Sequence, residues 1–330
     1  MRYRICRRLT FVVSIGASFA AAAVHADDVQ IVRERTLDAH RGRVTGIVFG
    51  GTSNQFISAS MDGSVAIWAT ASAKPDIRFE RSAGVQSISI DSTRRKVLLA
   101  GRGGIELWNW ADQNWNDIFL RDRVYRVCWV PRSDRLIAVM SDQSVRSWRI
   151  GRTADTVLRD RPEMWGAFVV SMAVCERKGV VLLGLSDCSV DVVDFATGRV
   201  VARLGQRKSA LAGGHVTAIA CSSDERTIAV ARTDRKLTFW DTETWHGVSE
   251  RDPGYALSSV AYSPDGSRLA VAGMHRLEIW NCGDRGFESA AASAEFSNEC
   301  ATVVFSPSDD FMLTGHSNGE IVSWKISGPE

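Results

Sequence analysis

After residue 26 the chain alternates apolar and polar positions with a period of two, and no later segment carries the 3.6-residue period of a helix. Val44-Thr45-Gly46-Ile47-Val48-Phe49 reads as a short strand. Gln55 to Ser60 and Ser64 to Trp68 read as two more, separated by Gly-rich and Asp-Gly turns. The same sequence of short strand, polar turn and short strand ending in tryptophan recurs at Trp108, Trp148, Trp240, Trp280 and Trp324, and once with Val193 in the tryptophan slot. Successive slots are 40, 40, 45, 47, 40 and 44 residues apart. First strands are expected to begin at Val44, Val85, Val124, Val170, Val216, Leu257 and Ala301. More variable fourth strands are expected at Ile77 to Glu80, Ile118 to Leu120, Thr156 to Leu158, Val200 to Leu204, Val248 to Glu250 and near Phe287 to Ala290.

A repeat of this length with four short strands is one blade of a β-propeller. Seven repeats over residues 27–330 therefore predict a single all-β domain, a seven-bladed propeller of four-stranded antiparallel blades. After Trp324 only Lys325 to Glu330 remain, too few for an outer strand in the seventh unit, while Val29-Gln30-Ile31-Val32-Arg33 precedes the first unit without belonging to it. Docking that stretch onto the last blade would pair a bare edge and close the ring.

The repeats resemble the WD-repeat family. Its first-strand phrase is visible as Val260-Ala261-Tyr262-Ser263-Pro264-Asp265-Gly266 and as Val304-Phe305-Ser306-Pro307, and its terminal pair as Trp240-Asp241. The resemblance implies a buried structural tetrad of His40, Ser58, Asp62 and Trp68 in the first blade, with His40 bridging Asp62 and Ser58. Elsewhere the tetrad is eroded. The serine slot holds Leu98, Ala138, Leu183, Val230, Ala270 and Thr314, and the aspartate slot holds Arg102, Asp142, Asp187, Asp234, Met274 and Asn318.

The first 26 residues have a different character: Arg2, Arg4, Arg7 and Arg8, an uncharged run from Phe11 to Val24, then Val24-His25-Ala26. That is the layout of a cleavable secretory signal with cleavage near Ala26. An uncleaved anchor, a twin-arginine signal and a mitochondrial presequence are the other readings; the run is short for a membrane span, which needs roughly 20 apolar residues. Without this segment the charge changes sign, since 40 Lys and Arg less four leave 36 against 38 Asp and Glu. A near-neutral chain gives no electrostatic reason to expect nucleic acid. Of seven cysteines, Cys128, Cys175, Cys188, Cys221, Cys282 and Cys300 follow the signal. Cys128, Cys175 and Cys221 fall inside apolar strand patterns and read as small buried hydrophobes, with disulfides left open.

Catalytic chemistry has little support. Gly315-His316-Ser317-Asn318-Gly319 fits G-x-S-x-G, but it lies between two strands, where Asn-Gly marks a hairpin turn, and not at a strand-to-helix elbow. His275 and His316 fall on equivalent turns and could reach one face, yet two ligands make an incomplete metal site. Covalent-haem, zinc-protease and phosphate-loop motifs are missing, and no cofactor is expected. Charges on the loops between blades are mixed. The expectation is a non-catalytic, exported, monomeric scaffold, periplasmic or secreted, that binds a protein partner and has no transmembrane segment after cleavage. Candidate contact residues on its rim are Arg102, Arg161, Met164, Trp165, Arg207, Lys208, His275 and His316. An enzyme, or a cofactor or small-ligand carrier using the central channel, is the alternative.

Overall fold

The computed structural model describes residues 29–327 except 51, 82, 92–95, 111–113, 121, 151–154, 163–165, 207–213 and 284–285. Residues 1–26 therefore lie outside the described part, as do Met164, Trp165, Arg207 and Lys208.

A solitary strand, β1 (Gln30–Asp38), comes first. The first blade is β2 (Val44–Phe49), β3 (Gln55–Ser60), β4 (Ser64–Ala69) and β5 (Ile77–Glu80), and the second is β6 (Val85–Asp91), β7 (Lys96–Gly101), β8 (Gly104–Asn109) and β9 (Asn114–Leu120). The third is β10 (Val124–Trp129), β11 (Arg135–Met140), β12 (Val145–Arg149) and β13 (Asp155–Arg159), and the fourth β14 (Val169–Cys175), β15 (Val180–Leu185), β16 (Val190–Asp194) and β17 (Val200–Leu204). The fifth is β18 (Val216–Cys221), β19 (Thr227–Arg232), β20 (Leu237–Asp241) and β21 (Gly247–Arg251), and the sixth β22 (Leu257–Tyr262), β23 (Arg268–Gly273), β24 (Arg276–Gly283) and β25 (Gly286–Glu295). The last three strands are β26 (Cys300–Phe305), β27 (Phe311–His316) and β28 (Glu320–Ser327). Every sheet is antiparallel and four-stranded, giving seven blades.

The seventh sheet has the order β1-β28-β27-β26, so the amino-terminal strand supplies its outer edge. Pairing runs from Gln30 opposite Ser327 to Asp38 opposite Glu320, with an irregularity between Arg33 and Arg35. The strand extends five residues past Arg33, where the sequence pattern placed its end, because Leu37 is buried between the first and last blades.

Apolar side chains gather between blades. Leu37, Val44, Phe56 and Trp68 pack with Leu313 and Ile321 across the first–seventh boundary, and each of the other six boundaries holds its own cluster. A sheet can bury both faces only against two neighbours, which is why second strands such as β7, β15 and β19 read as near-continuous apolar runs. Gly50 shows how close the approach becomes: a Cβ there would overlap the ring of Trp110 on the next blade, so this tryptophan is a packing residue.

Each buried indole N–H must find an acceptor, and the blades find different ones. In the first, Trp68 Nε1 donates to Ser58 Oγ (2.9 Å), Ser58 Oγ meets His40 Nε2 (2.8 Å), His40 Nδ1 meets Ser64 Oγ (2.5 Å), and Ser64 Oγ donates to Asp62 Oδ1 (2.6 Å). Ser64 therefore stands between His40 and Asp62, correcting the direct contact expected from the sequence. Every donor finds an acceptor when His40 is neutral and protonated on Nδ1. Burial is the main cause that lowers the His40 pKa to about 4. Burial opposes ionisation of Asp62, but hydrogen bonds from the Ser64 hydroxyl, the Ser64 and Arg41 amides and Ser60 outweigh it and hold its pKa at about 2.

In the seventh blade Trp324 Nε1 donates to Thr314 Oγ1 (2.8 Å), which meets His316 Nε2 (2.9 Å). His316 is only 1% exposed, and its ring lies edge-on to Phe296 at 4.8 Å. The expectation of a rim histidine is thus overturned: the side chain turns inward because Thr314 and the backbone of Asn298 hydrogen-bond it there. In the fifth and sixth blades, where the serine slot holds Val230 and Ala270, the indoles of Trp240 and Trp280 bond Thr238 Oγ1 (3.0 Å) and Glu278 Oε2 (2.8 Å), two residues back on the same strand face.

Candidate interaction face at the channel mouth

In an antiparallel blade the turn between the second and third strands returns the chain to the end where the first strand began. These turns and the loops between blades therefore share one face, and backbone bonds join them. Met61 N donates to Arg43 O (2.9 Å), Ser141 N to Arg123 O (2.9 Å), Ser186 N to Phe168 O (3.0 Å) and Ser317 N to Glu299 O (3.0 Å). At the first–seventh junction His40 N donates to Gly319 O (3.0 Å); Gly319 has φ +94°, and a side chain there would strike the His40 carbonyl.

All seven innermost strands carry a β-bulge at the same place, their second residue: Thr45, Gln86, Tyr125, Val170, Thr217, Ser258 and Ala301. A bulge bends its strand and re-aims the extra side chain. The hydroxyls among these residues are used as ties. Thr45 Oγ1 donates to Ala59 O (3.1 Å) within its blade and to Val85 O (3.0 Å) in the next, and Ser258 Oγ reaches Ala272 O (3.2 Å) and the carbonyl of Cys300. Inside the ring lies a cavity of about 310 Å³ lined by residues of all seven innermost strands, mostly Ser, Thr and small apolar side chains. Its mouth broadens into a second cavity of about 460 Å³, with Arg43, Met61, Gln86, Arg126, Gln143 and Phe168 on its wall.

The face is apolar at several points. Met61 (50% exposed), Phe168 (51%) and Met274 (54%) all stand on its turns and loops. Arg102, Arg161 and His275 are exposed there as the sequence suggested, but none lines either cavity. Arg126, which lines both cavities, escaped the sequence reading. A signal was present: at the position after the bulge six blades have Gly46, Ser87, Ser171, Ala218, Ser259 and Thr302, and the third has arginine. Among the described residues no group of three or more His, Cys, Asp or Glu is arranged to hold a metal ion, and no helix is long and apolar enough to cross a membrane.

The profile of the WD domain, G-beta repeat family matches residues 32–69 and 207–241, which together span the first blade's tetrad and the Trp240-Asp241 pair. These two stretches are similar to WD repeats, and they lie in a seven-bladed propeller. It is 27% identical over 163 residues to autophagy-related protein 16 of Arabidopsis thaliana, covering 42% of this chain and 31% of that protein. Identity to cilia- and flagella-associated protein 52 of Sus scrofa is 21% over 198 residues (59% of this chain and 30% of that protein), and to small ribosomal subunit protein RACK1y of Oryza sativa subsp. japonica 25% over 125 residues (35% and 36%). The chain spans about a third of the length of each of these relatives. WD-repeat propellers commonly bind protein partners.

Proposed function

We propose that the chain is an exported, non-catalytic interaction scaffold, acting in the periplasm or outside the cell, that receives a protein partner on the channel-mouth face. The observation that carries this reading is the placement of Met61, Phe168 and Met274 on one face, each about half exposed and held on a turn or loop anchored by the blades. Exposed apolar side chains gain from desolvation on binding, and a rigid frame spares the backbone its ordering cost. Export is supported by the arginine-rich head and the uncharged run that follows it.

The test is affinity capture from a cell-envelope extract with residues 27–330, beside a Met61→Asp, Phe168→Asp double variant of matching thermal stability. A partner retained by the first protein and lost by the second is expected. Equal capture by both, or none by a folded protein, would sink the reading. Fusion of residues 1–26 to a reporter that is active only after export checks the localisation separately; a reporter left inside the cell would remove that part of the proposal.

A further inference from the structure

Arg126 breaks a ring of seven equivalent positions otherwise held by small residues. Its Nε donates to the Val170 carbonyl of the fourth blade (3.2 Å), and its Nη1 reaches the Gln86 carbonyl of the second (3.5 Å). Among the described residues no carboxylate pairs with it. Among the described residues that line the mouth none is an acid, and Arg43, the second cation there, is forked by Glu299 at 2.8 and 3.0 Å. Burial and, after it, the field of Arg43 push the Arg126 pKa down, as expected for a charge that lacks a counter-ion.

We propose that the mouth is a carboxylate-recognition site, in which an Asp or Glu side chain of a partner segment enters the cavity and is hydrogen-bonded by Arg126, while an apolar neighbour of that acid packs on Met61 and Phe168. The proposal rests on the scaffold reading above and adds the chemistry of the partner. A guanidinium with a free edge binds a carboxylate in a planar fork that no neutral side chain reproduces. The cavity is also within the size range of sites that enclose small groups.

The probe is an immobilised array of acetylated heptapeptides with a central Glu or Asp flanked by Leu or Phe, beside the same array with Gln or Asn. Residues 27–330 should retain the acidic set at least about tenfold better, as a charge-assisted fork implies. Arg126→Met should equalise the two sets at unchanged melting temperature, and Arg126→Lys should keep part of the preference. Equal retention by the unaltered protein overturns the proposal and leaves the scaffold reading standing; a preference that survives Arg126→Met, or no retention of either set, overturns it too. Should Arg126→Met fail to fold, the unaltered protein decides: the acidic preference must collapse between about 50 mM and about 500 mM NaCl, and one that persists counts against the site.

A separate observation concerns Cys175 and Cys221, the last residues of β14 and β18, whose sulfurs lie 2.7 Å apart across the boundary of the fourth and fifth blades. We infer that these two close into an inter-blade disulfide when the protein meets a dithiol-oxidising environment. Cys221 is partly exposed and Cys175 buried, so the Cys221 thiolate attacks an external disulfide first and releases one thiol. The Cys175 thiolate then displaces the second thiol from the mixed disulfide, the two electrons going to the external disulfide. After incubation with oxidised glutathione, denaturation and alkylation, peptide mapping should find 175 linked to 221, and Cys221→Ser should abolish the link. The linked form should melt about 5 °C higher than the reduced one. Complete alkylation of both cysteines after oxidation, or linkage to other partners instead, would overturn the inference.

Discussion

The first and seventh blades meet one demand in two ways. Both bury a tryptophan whose N–H bonds a hydroxyl, and both pass that hydroxyl to a buried imidazole. In the first blade the histidine enters from the loop four residues before β2, and the relay ends on the carboxylate of Asp62 through Ser64. In the seventh it sits at the end of β27, two residues from its hydroxyl partner, and is bonded to the backbone of Asn298. What the fold needs is the order of donors and acceptors. The sequence position that supplies each of them is free, so a motif search recognises the first blade and passes over the seventh.

The two blades also differ in their edges, and the largest effect should come from there. Deleting residues 27–38 removes the outer strand of the seventh blade and leaves the first blade's own four strands intact; the expected outcome is loss of cooperative unfolding, with aggregation, measured by thermal circular dichroism and size exclusion. An unchanged melt would mean that the ring does not depend on β1. Next, Trp68→Ala and Trp324→Ala should each cost about 3–5 kcal/mol in urea titration. A large disparity between them would show that the two relays are not equivalent.

Acid comes next. The folded pKa of His40 lies near 4, below the ordinary value of 6.5. The unfolded chain therefore takes up a proton first as pH falls. Stability contributed by the neutral imidazole is complete above about pH 6.5 and is lost progressively towards pH 4, by roughly 3 kcal/mol. The His316 pKa is lowered in the same direction, again chiefly by burial, so replacing either histidine with glutamine should flatten the profile in urea melts between those limits. A profile unchanged by both replacements would contradict neutral relays. Ser58→Ala and Thr314→Val, each orphaning a buried indole N–H, should cost about 2 kcal/mol apiece, with near equality as the sharpest check on the comparison. At the small end, Arg102→Ala and His275→Ala alter exposed turns and should stay within about 0.5 kcal/mol.

The architecture was legible because strand alternation and the tryptophan column report on packing that every blade shares. The fourth strands were legible mainly as positions, since they lie on the outer edge and carry weaker patterns; β21, for example, is exposed almost throughout. The candidate site was much less readable. Arg102 and His275, expected on the rim, are exposed because turn residues project outward by geometry. His316 was misread because it was expected on a turn equivalent to that of His275, whereas it is the last residue of β27, at the place Gly273 holds in the sixth blade, and turns towards Thr314. Arg126 was missed because a bulge breaks the inward–outward alternation on which strand reading depends.

The bulges have a wider consequence. Because the residue re-aimed by each lies outside the regular ladder, its side chain can be exchanged without shifting the backbone ladder behind it, provided that it is not itself a tie. Gln86, Tyr125, Val170 and Ala301, which lack the tying hydroxyls of Thr45, Thr217 and Ser258, thus behave as interchangeable fittings on a fixed frame. New selectivity can be written into the aperture one module at a time, while the stitching that holds the modules together is left untouched.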